Sequence, residues 1–404
     1  MISVNKALKT ILSKAKPLPK EKILTENSLG RILSDNIYAK MNNPPENVSS
    51  MDGYAVKHSN LKKLNNKPIK IIGESAAGKP YLEKVNNNEG IRIFTGASVP
   101  NEFNTILLQE RVTIKDNKIV ETNQNYIINQ YIRKKGFNFK NKDLIIKKNS
   151  FINSRTLSLI ISANHKYINV NKKPKIAILS TGNELLKVGN TNKSGIISSN
   201  SSLLISMLNS FGAETIDLGI AKDTKASLKK KLININNYNL LITTGGASVG
   251  KHDLVKSVLI EQGMKLIFWK VAMRPGKPLI FGKIKNTLVL GLPGNPVSSF
   301  ISSVIFAKPL INKFLNASNN KKIVKAIITK SLEMNDERED YLRAKSYYKN
   351  NNYYVTPFAL QDSSMTFYLS EADSLIIRKP YDKALKKGDE VSIIQLINLN
   401  NNNI

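Results

Sequence analysis

The sequence contains no cysteine and only three histidines among its 404 residues. The absence of cysteine excludes disulfide bonds, thiolate metal sites and cysteine nucleophiles. His58, His165 and His252 are too few to build a metal site rich in histidine. Any functional site must therefore depend on hydroxyl, carboxylate, amide and cationic groups.

Acidic residues are also scarce, because 30 Asp and Glu stand against 61 Lys and Arg, a formal charge of +31. Such a charge is compatible with nucleic acid, an acidic membrane surface or anionic small molecules as partners. Only nine of the cations are arginines, the residues that phosphate and base recognition usually employ. The lysines are spread along the chain without a nucleic-acid module motif. We therefore interpret the excess as compositional background and expect no nucleic-acid partner.

Long apolar runs are absent as well. No run approaches the ~18 residues that a membrane-spanning helix requires. Near the amino terminus, Val4, Leu8, Ile11 and Leu12 have helical spacing, unlike the continuous apolar core of a signal peptide. We expect a cytoplasmic protein without a membrane partner.

The spacing of apolar and turn-forming residues changes along the chain, which predicts several domains. Residues 43–136 contain short β-like runs between Gly, Pro and Asn clusters, which indicates an inserted β domain. Residues 1–42 and 137–173 have helical character and are expected to form one elongated, discontinuous domain. Strands and helices alternate over residues 174–320, which predicts a doubly wound, mostly parallel α/β sheet covered on both faces. Residues 321–398 predict a small C-terminal β-barrel.

Four loops rich in glycine and polar residues follow predicted strands of the α/β region. They are Ser180–Glu184, Lys222–Asp223, Thr243–Gly250 and Leu292–Pro296. Because the carboxyl ends of parallel strands meet at one edge of a sheet, these loops predict a ligand site there. The fourth loop leads into a predicted helix over residues 295–314, with Asn295 as the N-cap and Pro296 in its first turn.

The third loop has the composition of a phosphate cradle. Gly245, Gly246 and Gly250 expose backbone N–H groups ahead of a predicted helix, which favours phosphate binding. Hydroxyl groups that can add donors belong to Ser180, Thr181 and Ser248. We interpret these residues as an anion-binding set.

Three carboxylates accompany this set: Glu184, Asp223 and Asp253. They would repel a phosphate unless they hold a metal, and Mg²⁺ accepts carboxylate and phosphate oxygens together. Asp223 and Asp253 both stand at predicted helix starts, so a purely structural role is the alternative for each. The trio favours a metal–phosphate site.

Other candidates are less specific. The turn Arg274–Pro278 projects Arg274 and Lys277, which could form an oxyanion pocket or only an exposed turn. In the β domain, Asp52 and Thr95 each precede a glycine, a pattern typical of turns. Polar segments of the last domain contribute Arg343 and Ser363.

Taken together and in order, these motifs resemble the molybdopterin molybdenumtransferases, the MoeA/gephyrin E-domain family. The resemblance covers nearly the entire chain. The matching motifs are Ser50–Ala55, Thr95–Pro100, Ser180–Leu185, Gly245–Asp253, Pro275–Pro278 and Leu292–Ser298.

The resemblance implies a four-domain subunit: an elongated domain with an inserted β domain, a molybdopterin-binding α/β domain and a terminal β-barrel. It also implies a homodimer in which the first domains of one subunit face the α/β domain of the other. Asp52 and Thr95 would then lie near a cleft completed by the partner subunit.

The implied activity is Mg²⁺-dependent insertion of molybdenum from molybdate into adenylylated molybdopterin, with release of AMP. Asp52, Thr95, Glu184, Asp223 and Asp253 would be catalytic, the last three as metal ligands. The implied substrate-binding residues are Ser180, Thr181, Gly182, Gly245, Gly246, Ser248, Gly250, Arg274, Lys277, Pro293, Pro296, Arg343 and Ser363. The molybdopterin adenylyltransferase is a candidate partner.

Two positions depart from the family pattern. Asn138 and Asn104 stand where family members often carry Asp. An amide cannot act as a base or a strong metal ligand. If the carboxylate at position 138 matters for chemistry, this protein is slower or relies on Asp52.

Two alternative functions stay open at this point. One is an adenylyltransferase-like activity on molybdopterin, against which the extra β domains and the Leu292–Pro296 loop argue. The other is a basic nucleic-acid-binding or scaffold protein, which predicts salt-sensitive DNA or RNA binding.

Overall fold

The structure, a computed structural model, describes residues 1–192, 194–245, 254–317 and 323–396. Within these ranges the chain forms three six-stranded sheets and several two-stranded pairs. No helix in the described ranges is long and apolar enough to cross a membrane.

The chain begins with helix α1 (Val4–Ser13), whose N-cap Ser3 accepts a hydrogen bond from the Lys6 backbone N–H at 3.3 Å. The apolar side of α1 is buried in the core of the central α/β domain. The buried residues of this side are Val4, Ala7 and Ile11. Their spacing of three and four residues is the helical pattern that the sequence predicted. Strands β1 (Lys20–Leu24) and β2 (Ile37–Tyr38) follow.

The inserted region is a β domain. Its elements are β3 (Val48–Ser49), β4 (Gly53–Val56), α2 (His58–Leu61), β5 (Ile69–Ser75), β6 (Glu89–Ile93), β7 (Thr105–Leu108), β8 (Val112–Lys115), β9 (Lys118–Thr122) and β10 (Ile132–Arg133). Six strands form a sheet in the order β7-β4-β6-β5-β9-β8, and β10 pairs with β3. Apolar clusters on both faces account for the predominance of β-branched residues.

After the insertion the chain returns to its first segment. The returning elements are β11 (Leu144–Ile146), α3 (Ser154–Ser162) and β12 (Tyr167–Asn171). β11 pairs with β2, and β12 pairs with β1 along its whole length. A capping box between Asn153 and Thr156 starts α3. Strand pairing therefore joins the segments on either side of the inserted sheet.

The central domain has the predicted α/β architecture. Its strands are β13 (Lys175–Thr181), β14 (Leu185–Leu186), β15 (Ile196–Ile197), β16 (Glu214–Ala221), β17 (Leu240–Thr244), β18 (Lys265–Lys270), β19 (Met273–Arg274), β20 (Pro278–Ile284) and β21 (Thr287–Leu292). Its helices are α4 (Asn200–Ser210), α5 (Lys225–Lys231), α6 (Leu254–Glu261), α7 (Pro296–Ser302) and α8 (Lys308–Phe314). The main sheet has the order β16-β13-β17-β21-β20-β18. The first four strands are parallel, and β20 and β18 extend the sheet in antiparallel fashion.

The helix predicted over residues 295–314 is interrupted. A π-helical turn, Ser303–Ala307, separates α7 from α8. Asn295 occupies the N-cap position, but its side chain caps nothing in α7. Its amide nitrogen instead donates to Ser363 Oγ at 2.7 Å, a partner almost seventy residues away that no local pattern reveals.

The C-terminal domain closes into a barrel. Its elements are β22 (Ile323–Ile328), β23 (Glu339–Lys349), β24 (Asn352–Pro357), α9 (Thr366–Glu371), β25 (Ser374–Arg378) and β26 (Glu390–Gln395). Pairing of β23 with both β24 and β25 closes the ring of five strands. β19 of the α/β domain adds to β23 in parallel, so the sheet continues from one domain into the other. The predicted fold class is confirmed.

Candidate functional site

The candidate site lies at one edge of the central sheet. β16, β13, β17 and β21 are parallel neighbours, so their carboxyl ends place the four predicted loops side by side. Strand β18 ends and β20 begins at this same edge, because Lys270 pairs with Pro278. The turn that contains Arg274 and Lys277 therefore joins the same edge.

Buried hydroxyl groups at this edge lack partners within the described part of the chain. Ser180 Oγ, Thr181 Oγ1 and Thr243 Oγ1 are each buried without a hydrogen bond. Buried polar groups are nearly always bonded, so unpartnered hydroxyls at the ends of the neighbouring strands β13 and β17 indicate a missing ligand or water. Two of these three residues were predicted to bind an anion.

Glycines allow the loops to approach one another. Gly245 has φ +88°, and a Cβ at this position would stand 2.1 Å from the Thr181 carbonyl oxygen. A Cβ on Gly294 would stand 3.4 Å from the Gly245 Cα atom. The loops after β13, β17 and β21 thus converge. The predicted residues Gly246, Ser248, Gly250 and Asp253 lie outside the described residues.

A side-chain network that the sequence did not reveal ties these loops together. Asn200 Nδ2 donates to Thr244 Oγ1 at 2.9 Å and to the Gly294 carbonyl at 2.5 Å. Ser299 Oγ donates to the Pro293 carbonyl at 2.5 Å and lies 3.3 Å from Thr244 Oγ1. Asn200 Oδ1 is buried without a partner among the described residues. The start of α4 therefore belongs to the site.

Asp223 contacts the loop after β13 rather than capping a helix. Its Oδ2 accepts from the Asn183 backbone N–H at 3.2 Å, and its own N–H donates to Asn183 Oδ1 at 3.1 Å. The N-cap of α5 is Thr224, whose side chain accepts from Ser227 N–H. Asp223 therefore links two site loops instead of capping α5, which was the structural alternative for this residue.

Glu184 is exposed and folds back toward Gly182. A Cβ on Gly182, which has φ +151°, would stand 2.5 Å from Glu184 Oε1. Across the described ranges, no three His, Asp or Glu side chains form a metal-binding group. Since Asp253 lies outside those ranges, the predicted carboxylate trio stays a prediction.

Arg274 is engaged by carboxylates of the barrel. Its Nε donates to Asp340 Oδ2 at 2.9 Å and its Nη1 to Asp336 Oδ2 at 3.0 Å. Burial raises the pKa of Asp340, whereas hydrogen bonds from Arg338 lower the pKa of Asp336 to about 2. Lys277 in the same turn is half-buried, and its ammonium group has no bonded partner in the described ranges. Arg274 is thus paired with carboxylates, whereas Lys277 has no such partner in the described ranges.

Arg343 is enclosed in the barrel, with 1% of its surface exposed. Its guanidinium donates to the carbonyls of Met365 at 3.0 Å, Leu360 at 3.2 Å and Asp362 at 2.9 Å. These bonds hold the loop that carries Ser363. The Ser363 carbonyl accepts from the Val297 N–H at 3.1 Å, at the start of α7. Arg343 therefore shapes the site through Ser363, while Pro296 begins the helix that Ser363 contacts.

Asp52 and Thr95 form a pair in the inserted domain. Asp52 Oδ1 accepts from the Thr95 N–H at 2.7 Å and from Thr95 Oγ1 at 2.9 Å. These two hydrogen bonds, backbone first, lower the pKa of Asp52. Gly53 is required beside them, because a Cβ there would stand 1.8 Å from the Leu107 carbonyl oxygen. Described hydrogen bonds connect this pair only within its own domain.

Asn104 and Asn138, the two residues that depart from the family pattern, have different surroundings. Asn104 Oδ1 accepts from the His58 N–H at 2.7 Å, a structural role that an amide fulfils. Asn138 instead lines a cavity of about 500 Å³ together with Arg133 and Phe137. Only the change at Asn138 therefore alters a surface open to a ligand.

Three family models match successive parts of the chain. They are described as MoeA N-terminal region (domain I and II), over residues 2–164; probable molybdopterin binding domain, over residues 177–313; and MoeA C-terminal region (domain IV), over residues 325–396.

Relatives match over almost their full length. The molybdopterin molybdenumtransferase of Haemophilus influenzae is 31% identical, with 93% of this chain and 94% of the relative covered. The protein of the same name from Staphylococcus aureus is 27% identical, with 97% and 95% covered. The crystal structure of the molybdopterin biosynthesis moeA protein from Pyrococcus horikosii has a TM-score of 0.82 at 28% identity, covering 98% of this chain and 99% of that one.

Proposed function

Because this chain belongs to the molybdopterin molybdenumtransferase family, we propose that it is a transferase of molybdenum cofactor biosynthesis. It inserts molybdenum from molybdate into adenylylated molybdopterin and releases AMP. The observation that supports this most directly is the set of unpartnered hydroxyls at the carboxyl ends of β13 and β17. Family membership also favours this reaction over the adenylyltransferase and nucleic-acid alternatives.

These hydroxyls would bind the phosphate groups of the substrate. Ser180, Thr181 and Thr243 can each donate one hydrogen bond, and such bonds are stronger in a buried place of low dielectric constant. Gly182 and Gly245 keep side chains out of the space where the loops converge. Pro293 contributes the carbonyl that fixes Ser299 and Thr244 behind these hydroxyls.

Lys277 and Ser363 are the proposed contacts of the molybdate or AMP oxyanion. The Lys277 ammonium group has no counter-ion among the described residues, and an uncompensated positive charge at the sheet edge attracts an anion. Arg274 positions the turn of Lys277 through its carboxylate partners, and Arg343 positions the loop of Ser363. The two arginines thus act through their neighbours.

The carboxylates of the candidate site are chemically suitable ligands for a magnesium ion. Glu184 and Asp223 border the same turn, and their oxygens are ligands that Mg²⁺ prefers. They would hold the ion together with Asp253. A bound Mg²⁺ neutralises part of the negative charge on the phosphate oxygens.

We further propose a homodimer in which Asp52 and Thr95 face the partner's sheet edge. The pair is exposed, and its described bonds leave one Asp52 oxygen, Oδ2, available. An aspartate is ionised near neutrality, and the hydrogen bonds from Thr95 lower the pKa of Asp52 further below its ordinary value. The molybdopterin adenylyltransferase, as supplier of the substrate, is a proposed transient partner.

A coupled assay tests the proposed reaction. Purified protein is mixed with adenylylated molybdopterin, molybdate and Mg²⁺, and both AMP and active molybdoenzyme are measured. The proposal predicts AMP release that depends on molybdate, and its loss in Asp223→Ala with the fold retained. Absence of AMP release from folded wild-type protein would refute it.

A further inference from the structure

The outer edge of the central sheet carries the single tryptophan of the chain, Trp269. β18 is the last strand of this sheet, and no strand in the described ranges pairs with its outer side. Leu266 is 37% exposed, Ile267 36% and Trp269 37%, and Phe268 is the buried residue of the strand. We name this surface the tryptophan edge; it consists of Lys256 and Ile260 of α6 and Lys265–Lys270 of β18.

Helix α6 extends the apolar surface. Lys256 Nζ lies 4.5 Å from the centre of the Trp269 ring, so α6 packs beside the tryptophan. Ile260 follows Lys256 by one helical turn on the same face of α6 and is 46% exposed. Ile260 and Trp269 therefore lie on the same side of the sheet. An exposed tryptophan among aliphatic groups is typical of protein interfaces, where it supplies much of the binding free energy.

The backbone of this edge can accept an added strand, because the amino terminus of the chain already adds to it. The Ile2 N–H donates to the Lys270 carbonyl at 3.3 Å, and the Ile2 carbonyl accepts from the Ala272 N–H at 2.8 Å. These bonds form a parallel bridge between Ile2 and Val271. The outer side of β18 before this bridge has no partner strand in the described chain. Such an edge binds an extended segment through main-chain hydrogen bonds.

Lysines determine which segment suits this edge. Lys265 and Lys270 stand at the two ends of β18, and neither pairs with a carboxylate among the described residues. Lys270 Nζ also lies 3.8 Å from the centre of the Trp269 ring. An antiparallel second copy of β18 would place Lys265 opposite Lys270, and like charges directly opposite each other are destabilising. A segment with acidic side chains would instead complement both lysines.

We propose that the tryptophan edge binds an extended acidic segment of a partner protein, which adds to the sheet as a strand beside β18. Main-chain hydrogen bonds hold the segment, its acidic side chains contact Lys265 and Lys270, and its apolar side chains cover Trp269. The register of β18 is irregular around Phe268, and irregular edges with lysines oppose pairing with arbitrary strands. The inference goes beyond the proposed function and does not depend on it.

The fluorescence of Trp269 reports on this edge alone, because the chain has no other tryptophan. The full-length protein is titrated with a short peptide of alternating Glu and Val, and acrylamide quenching measures the exposure of Trp269. One control peptide carries Lys in place of Glu. Another carries N-methylated valines, which keep the side chains but remove every second backbone N–H. A single-stranded thymidine oligonucleotide tests nucleic acid as the occupant.

We expect the Glu–Val peptide to protect Trp269 from acrylamide, and the control peptides and the oligonucleotide to leave its quenching unchanged. Lys265→Glu should weaken binding of the Glu–Val peptide about tenfold or more, because repulsion replaces attraction at the edge. Calorimetry measures this affinity. The matched control is Lys118→Glu on β9 of the inserted domain, an exposed lysine whose replacement changes the net charge equally. It should leave the affinity unchanged.

Equal weakening by Lys118→Glu would overturn the inference, because net charge and not the edge would then attract the peptide. Equal binding of the N-methylated peptide would also overturn it, since main-chain hydrogen bonds would not be needed. Unchanged quenching of Trp269 in every titration would do the same. Protection by the oligonucleotide would assign the surface to nucleic acid instead. Shielding of Trp269 that grows with protein concentration, without peptide, would assign it to a second copy of the chain.

Discussion

The carboxyl edge of the central sheet and the charged cluster of the barrel are both rich in polar groups, but they differ in how many of these groups have hydrogen-bond partners. The charged cluster consists of Arg274, Asp336, Arg338 and Asp340. At the sheet edge, Ser180, Thr181 and Thr243 are buried without partners in the described chain. In the barrel, Arg274 is held by carboxylates and Arg343 by three carbonyls, and a single carboxylate oxygen, Asp340 Oδ1, is buried without a partner in the described chain. Several unpartnered hydroxyls at the ends of two neighbouring strands therefore indicate a place for a ligand, and the bonded arginines of the barrel support this place.

The largest effect is expected at the sheet edge, from Gly245→Ala. The new Cβ would stand 2.1 Å from the Thr181 carbonyl oxygen, so the loops must separate. Displacement by about 1 Å can reduce turnover about a hundredfold, and we expect at least this loss in the AMP-release assay. The control is Gly263→Ala, at φ +91° with nothing within 4 Å. It should lose about 1 kcal/mol of stability and little activity. Equal activity of the two variants would contradict the convergence of the loops.

The next effect concerns the barrel, through Arg343→Met. This change leaves the carbonyls of Leu360, Asp362 and Met365 without their buried donor. We expect a loss of about 3 kcal/mol in the free energy of unfolding. Calorimetric unfolding measures it, with the exposed Arg155→Met as the control. Unchanged stability with lost activity would show instead that Arg343 contacts substrate directly.

The smallest effect is the pH dependence of the charged cluster. The pKa of Asp336 is lowered to about 2 in the folded chain, so its contribution to stability is present above its unfolded pKa near 3.8. That contribution is lost as pH falls from about 4 to about 2. Asp340 has the opposite sign, because its raised pKa favours the folded state only at low pH and loses this contribution as pH rises through it. Thermal unfolding of Asp336→Asn should show a weaker acid-dependent decline than the wild type. An unchanged decline would show that Asp336 does not contribute to the loss of stability in acid.

The sequence predicted that the four loops meet at one edge because they follow parallel strands, and the structure places those strand ends side by side. From residue type and order it proposed Ser180, Thr181 and Gly245 as binding residues, and this role stays a prediction. It could not separate the roles of the cations. Arg274 was proposed as an oxyanion ligand, and this role stays a prediction. Its partners Asp336 and Asp340 lie more than sixty residues away, and pairing at such a distance leaves no local signal.

The same limit explains the residues that sequence reasoning missed. Asn200 begins α4 and resembles an ordinary polar residue at a helix start, but its amide joins two site loops. Asn295 was predicted as an N-cap, and a partner in the barrel redirects its side chain. Both roles depend on contacts between elements that are distant in sequence.

The central claim is that the unpartnered hydroxyls serve a ligand and not the fold. Its most direct test is calorimetry on the double variant Ser180→Ala/Thr181→Val, which measures both unfolding and binding of adenylylated molybdopterin. The reference is Ser303→Ala, which removes a buried hydroxyl that donates to the Ser299 carbonyl at 2.8 Å. We predict that the double variant keeps wild-type stability and binds substrate about tenfold more weakly, and that Ser303→Ala loses about 1 kcal/mol of stability with unchanged affinity. A destabilised double variant with wild-type affinity would contradict the account.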